Sequence, residues 1–305
     1  MMIMYHTKNQ PKLIEIYSHR GYAGLYPENT LLGYQESINL GVHSLDIDVA
    51  ITKDKVIVAS HDRFLNKDFT RDKNKNWLEN NDLLIHELNY EDLQFYDVGS
   101  TNPESAYYSK FPNQKSAENI IIPSLEKIIE LIKEHEKKNK KTHKIQIEIK
   151  TEPADSQEYV ESFVDAIVKV LKDTSFTRYT ELQSFDWRTL IYAKRILPGV
   201  YTSFITQQND ELDSFAEGWT AGYKLDEHKN SIPYLIAKVG GNIWCPDYKD
   251  LNAELIKEAH KYNIKVIPWT VDDEQSMSQL IDWNIDGIIT NYPHLLKDLL
   301  SKKNT

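Results

Sequence analysis

The chain has 305 residues, enough for one large domain or two ordinary ones, and its 40% hydrophobic residues, with 18 tyrosines and 6 tryptophans, supply a sizeable core. A formal net charge of −10 argues against a general nucleic-acid binder, which carries a basic face, but a local basic site can still receive an anionic ligand. The single cysteine, Cys245, cannot form an intrachain disulfide, which fits a reducing compartment.

At the start of the chain, "MMIM" is too short for a signal-peptide core, and no small-residue cleavage site follows it. No stretch approaches the ~18 apolar residues of a membrane span. The expectation is a soluble, cytoplasmic protein with no membrane span.

Short β-rich runs then alternate with amphipathic stretches along nearly the whole chain. Strands are expected at "LIEIYSH" (13–19), "SLDIDVAI" (44–51), "KIQIEIK" (144–150), "ELQSFD" (181–186), "VYTSFIT" (200–206), "NIWCPDY" (242–248), "KVIPWTV" (265–271) and "GIITNY" (287–292). Helical patterns lie between them, among them "NTLLGYQESINL", "PSLEKIIELIKEHEKK", "QEYVESFVDAIVKVLK", "WRTLIYAKRIL", "NAELIKEAHKY", "DEQSMSQLIDW" and "PHLLKDLL". This order reads as a parallel α/β fold, and eight such strands suggest a (β/α)8 TIM barrel. A doubly wound open sheet is the alternative, without the Gly-rich first turn of its dinucleotide-binding version.

One run breaks the alternation. "VIVASHD" (56–62) follows the second strand after only "TKDK", too short for a parallel crossover, so the two form an antiparallel hairpin. Folding back around residues 53–54 sets Asp46 or Asp48 roughly opposite His61. Residues 63–118, rich in Asn, Asp and Lys with scattered aromatics, read as an insertion folded over one end of the barrel.

The polar residues at the strand ends carry the chemistry. Asp46 and Asp48, two apart in a strand, share a face, while Leu45, Ile47 and Val49 take the other. Two buried carboxylates need compensation, either from a hard divalent cation or from Lys or Arg. Gln146, Glu148 and Lys150 share a face of "KIQIEIK"; Glu148 suits a metal and Lys150 an anionic substrate. His19 and Arg20 end the first strand, the one suited to proton transfer and the other to a forked grip on phosphate. Glu28 stands just before a helix, where Pro27 and Asn29 serve equally as turn and capping residues. Together these groups fit metal-assisted attack at phosphorus.

The segments "SHRGYAGLYPENTLLGY", "LDIDVAITKDKVIVASHD", "IPSLEKIIELI", "IQIEIK", "LQSFDWRTL", "IPWTVDD" and "DGIITNYP", in this order over residues 18–293, resemble the glycerophosphodiester phosphodiesterase family of phospholipase-C-like barrels. The resemblance implies a single barrel domain over residues 1–305, with the insertion over the substrate mouth. It implies that His19 and His61 are the acid/base pair, that Arg20 and Lys150 hold the phosphate, and that Gln183, Phe185 and Trp269 line the pocket. Asp46, Asp48 and Glu148, with Glu28 in or next to the shell, would bind one divalent cation, Ca²⁺ or Mg²⁺. The family usually has Glu-x-Asp on the second strand; here Asp46 is one methylene shorter, which bears on the ion's identity and affinity.

The implied reaction is hydrolysis of glycerophosphodiesters, such as glycerophosphocholine or glycerophosphoethanolamine, to sn-glycerol 3-phosphate and an alcohol. A lysophospholipase-D-like enzyme keeps the chemistry and changes the substrate, with Trp77, Leu78, Tyr107, Tyr108 and Phe111 as an acyl wall. A Schiff-base lyase using Lys150 leaves the acids idle, and a non-catalytic phosphate-binding barrel is the remaining reading.

Overall fold

The computed structural model describes residues 12–303, so the "MMIM" reading lies outside the described residues. The strands are β1 (Glu15–Ser18), β2 (Ser44–Ile51), β3 (Ile57–Ala59), β4 (Lys144–Ile149), β5 (Thr180–Ser184), β6 (Tyr201–Thr206), β7 (Ile243–Pro246), β8 (Lys265–Val266) and β9 (Gly287–Thr290). All but β3 form a parallel sheet in the order β8-β7-β6-β5-β4-β2-β1-β9. Backbone hydrogen bonds from Asp286 to Val266, Ile289 to Pro268 and Val271 to Ile289 join its two ends (3.2, 3.0 and 3.0 Å). The result is a (β/α)8 barrel. Regular pairing of "KVIPWTV" stops at Val266 because Pro268 has no N–H to donate.

The helices are α1 (Leu31–Leu40), α2 (Tyr90–Leu93), α3 (Ala106–Lys110), α4 (Leu125–Asn139), α5 (Gln157–Asp173), α6 (Trp187–Ile196), α7 (Ile232–Lys238), α8 (Ala253–Lys261), α9 (Glu274–Asp282) and α10 (Pro293–Lys303). Short polar residues start most of the barrel helices. The side chains of Thr30, Ser124, Ser156, Asp186, Ser231, Asn252 and Asp273 each accept a backbone N–H from the first turn. Helix α7 has no counterpart among the expected elements: seven residues are too few to show a period, and its signal is the Ser231 cap followed by Pro233.

Alternation along each strand sorts two cores. Leu45, Ile47 and Val49 pack outward with α4 residues Ile128 and Ile129 in the main cluster between sheet and helices. Inward-facing Tyr17, Ile205, Cys245, Ile267 and Ile289 fill the barrel interior. At the N-terminal end the interior is closed by Lys144, whose Nζ lies 2.9 Å from Glu15 Oε2 and 2.7 Å from Glu181 Oε1. The open end is therefore the C-terminal one, where barrel sites are built.

The β2–β3 hairpin pairs antiparallel, Val49 with Ala59 and Ile51 with Ile57. Ser60 N reaches Asp48 O at 3.0 Å, so His61 comes one residue beyond the partner of Asp48, on the level between the two aspartates. The excursion after β3 has its own small core, in which Leu65, Ile85, Leu93 and Val98 pack on Ala50, Val58 and Ile122. Its polar anchor is Asp97. This carboxylate takes ion pairs from Arg71 (2.8 Å) and Lys75 (2.9 Å) and hydrogen bonds from the N–H groups of Gly99, Asn119 and Ile120.

Burial pulls the Asp97 carboxyl up, but the Lys75 and backbone donors outweigh it and hold its pKa down at about 2. Because the folded value lies below the unfolded one, this stabilisation is present above about pH 4 and is lost as pH falls through about 2. Asp97→Asn is therefore expected to cost about 2 kcal/mol at pH 7, and to lose that difference from wild type near pH 2, measured by urea denaturation.

Candidate active site

β1 ends in one 3-10 turn, His19–Gly21, with Arg20 at φ 49° and Gly21 at φ 73°. A left-handed arginine stores roughly 1 kcal/mol of strain, and its guanidinium is held in return. Arg20 Nη1 donates to both oxygens of Glu28 (3.2 and 3.1 Å), and Nε lies 3.1 Å from Asp48 Oδ2. Helix α1 crosses this turn so closely that a Cβ on Gly33 would meet Gly21 O at 2.2 Å.

Asp48, only 1% exposed, is the hub. Asn29 Nδ2 donates to its Oδ2 (3.0 Å), and Lys150 Nζ lies 3.0 Å from its Oδ1 and 2.5 Å from Glu148 Oε1. Burial pulls Asp48 up, but Lys150, Arg20 and the two histidines outweigh it and hold the carboxyl well below its ordinary range. Asp46, one layer deeper, meets the opposite balance. Burial and the charges of Asp48 and Glu148 push it well above the carboxylate range, and Gln183 Nε2 donates to its Oδ1 at 2.6 Å. Burial also raises Glu148. Asp48 is thus compensated by Lys150 and Arg20, and Asp46 by the Gln183 amide.

The two histidines have different settings. His19 Nδ1 donates to Asn291 Oδ1 (2.7 Å), while Asn291 Nδ2 donates to Asp272 Oδ2 (2.7 Å). Asp272 also accepts the Asn291 backbone N–H at 2.8 Å. Since a carboxylate only accepts, the amide of Asn291 can face His19 only with its oxygen, and the proton of neutral His19 sits on Nδ1. Burial and the Arg20 charge lower the His19 pKa well below its ordinary value. His61 is more open; its Nδ1 bonds to Asp62 Oδ1 (2.9 Å), which is itself fixed by Asn66 Nδ2 on Oδ2 (2.7 Å).

A cavity of about 320 Å³ at the C-terminal end of the barrel brings together His19, Arg20, Asp46, His61, Glu148 and Lys150. Gln183, Phe185 and Trp269 are also in its wall, the two rings edge-to-face at 5.5 Å. Asp48 lies behind Arg20 and Lys150, and Glu28 is engaged by Arg20 and by the hydroxyl of Tyr107 from α3. Sequence reasoning gave Asn29 only a turn and capping role and Tyr107 only a place in an acyl wall, and it missed Asp272 and Asn291. The signal for the last two was their place at strand ends, in "TVDD" and "TNYP".

Among the described residues no set of three or more His, Cys, Asp or Glu side chains converges as a ready-made metal cage. The donors nevertheless suit a hard divalent ion. Asp48 and Glu148 are paired in register on β2 and β4, Asp46 lies on the same face, and the buried Asp48 Oδ1 accepts no hydrogen bond of good geometry. Four acids (Glu28, Asp46, Asp48, Glu148) face two bases (Arg20, Lys150), and a cation there would offset the burial and like charge that disfavour ionisation of Asp46 and Glu148.

A model of the glycerophosphoryl diester phosphodiesterase family matches residues 19–295. The glycerophosphodiester phosphodiesterase of Caldanaerobacter subterraneus subsp. tengcongensis is 24% identical over 94% of this chain and 98% of its own length. Among solved structures, a candidate glycerophosphoryl diester phosphodiesterase from Silicibacter pomeroyi superposes with a TM-score of 0.88 at 28% identity, over 97% of this chain and 95% of that one. An Oleispira antarctica phosphodiesterase, solved with the product sn-glycerol-3-phosphate, superposes with a TM-score of 0.67 at 19% identity, over 95% and 97% of the two chains.

Replacing Lys150 with methionine would strip both Asp48 Oδ1 and Glu148 Oε1 of their cation. The expected loss is about 3–5 kcal/mol at neutral pH by chemical denaturation, with part of it recovered in Lys150→Met/Asp48→Asn.

Proposed function

The chain belongs to the glycerophosphoryl diester phosphodiesterase family, and from that premise we propose that it hydrolyses glycerophosphodiesters to sn-glycerol 3-phosphate and an alcohol, with His19 as base and His61 as acid. The observation that carries this reading is the differing attachment of two histidines that line one cavity with Arg20 and Lys150. Neutral His19, its Nδ1 proton held by Asn291, has its Nε2 lone pair free to take a proton from the nucleophile, either water or the neighbouring glycerol hydroxyl. His61, oriented by Asp62, delivers a proton to the departing oxygen. Arg20 and Lys150, already poised on carboxylates, turn their remaining donors to the phosphate oxygens.

Asp46, Asp48 and Glu148 are the residues that would hold a divalent cation, Ca²⁺ or Mg²⁺, with Glu28 kept as the partner of Arg20. Such an ion supplies Lewis-acid stabilisation of the phosphoryl charge. Phe185 and Trp269 form the wall for the glycerol carbons. The insertion 63–118 completes the substrate mouth, a reading supported by Lys110 in the cavity wall and Tyr107 on Glu28. Glycerophosphocholine and glycerophosphoethanolamine are the simplest substrates of this class.

His19→Ala and His61→Ala are each expected to lower kcat roughly 10²–10⁴-fold on glycerophosphocholine, followed as released glycerol 3-phosphate; near-normal turnover of both would refute the assignment. Chelation by EDTA is expected to abolish turnover, and added Ca²⁺ or Mg²⁺ to restore it. Activity that persists in EDTA, with borohydride trapping at Lys150, would point to a lyase instead. Faster turnover of lysophosphatidylcholine than of glycerophosphocholine would select the lysophospholipid substrate.

A further inference from the structure

The 320 Å³ cavity is not the end of the site. A second pocket of about 650 Å³ adjoins it, and the two share His61, Glu148, Lys150 and Phe185 in their walls. His19, Asn291, Asp272 and Trp269 border only the smaller cavity. A phosphate at Lys150 can therefore extend one ester arm into each space, and the larger space is bordered by His61 and not by His19.

The two spaces differ in chemistry. The smaller one has Thr270, Asp272, Asn291 and Lys110 in its wall, groups that suit a diol. In the larger one Phe64, Leu84, Phe185, Leu212 and Trp219 make an apolar part of the wall. The charged groups there are already engaged: Arg63 bonds to both oxygens of Asp155 (3.1 and 3.2 Å), Asp62 to His61 and Asn66, and Lys150 to Asp48 and Glu148. His86 and Glu152 stand exposed at the rim. A volume of this size lies in the ~300–1,000 Å³ range of pockets that enclose drug-sized ligands, well beyond the needs of ethanolamine.

We infer that the larger pocket is the subsite for the departing alcohol, and that it selects diesters whose alcohol is extended and apolar. The inference rests on the phosphodiesterase reading above and adds to it the class of leaving group. Each methylene laid against this wall leaves water in the complex, and with about half the burial of a core methylene it favours the longer ester about twofold. The alcohol gains this contact while bound and surrenders it on release, so the preference is read in kcat/KM.

The test is a series of sn-glycero-3-phospho-alkyl esters, ethyl through octyl, hydrolysed by wild type and by Leu84→Ser and Leu212→Ser, whose residues lie in the wall away from the phosphate. The expected result is a rise in kcat/KM of about twofold per methylene to at least hexyl, with most of the rise lost in the variants and the ethyl ester rate unchanged. Because the readout is a ratio of substrates within each protein, a variant that is only partly folded still reports the slope. A flat series, a slope that both variants keep, or a hexyl ester slower than glycerophosphocholine would overturn the subsite while leaving the phosphodiesterase reading intact. Failure to hydrolyse any diester would overturn both.

Discussion

Asp48 carries its charge with 1% of its surface exposed, and the molecule can hold it there because Arg20 and Lys150 stand at 3.1 and 3.0 Å on either side. An isolated carboxylate at that depth would protonate rather than stay ionised. The three partners come from different parts of the chain: Arg20 from the turn after β1, Lys150 from the end of β4, and Asn29 from the segment before α1. Tyr107 of α3 reaches the same network through Glu28, so the inserted segment is tied to it as well. The barrel brings these pieces to one end. The ion cluster in turn joins the turn, two strands and the insertion.

The same arrangement sets the two aspartates apart. Asp46 and Asp48 are one residue from being neighbours, yet burial and like charge push one up while adjacent cations hold the other down. Two carboxyl groups driven in opposite directions by their surroundings are a mark of sites that manage charge. Here the acids outnumber the bases, which favours an additional cation; the bases retain donors, which favours an anion. A phosphate with a divalent ion satisfies both tendencies.

Most of this was legible in the sequence where the signal was local. Period-two alternation located the strands, and the short "TKDK" link required the hairpin that returns His61 to the acids. Residues adjoining β1, β2 and β4 were found because polar groups stood out against apolar neighbours. What escaped notice depended on long-range contact. Asn291 touches His19 across 272 positions, and nothing near either residue announces the pairing. Asp272 is visible only through Asn291, and the tie of Tyr107 to the site only through Glu28. Glu28, which the resemblance puts in or next to the metal shell, has its oxygens on Arg20 and Tyr107. Helix α7 was too short to be periodic, and β8 was cut short by a proline whose missing N–H matters only once β9 is alongside.

The central claim is that the Asp48 cluster is a phosphate-binding device. A crystal structure of the protein with sn-glycerol 3-phosphate and a divalent cation tests it most directly. The account predicts a phosphate within hydrogen-bonding distance of Arg20, Lys150 and both histidines, with the glycerol against Phe185 and Trp269. A phosphate bound elsewhere, with Arg20 and Lys150 still turned wholly to Glu28, Asp48 and Glu148, would contradict it.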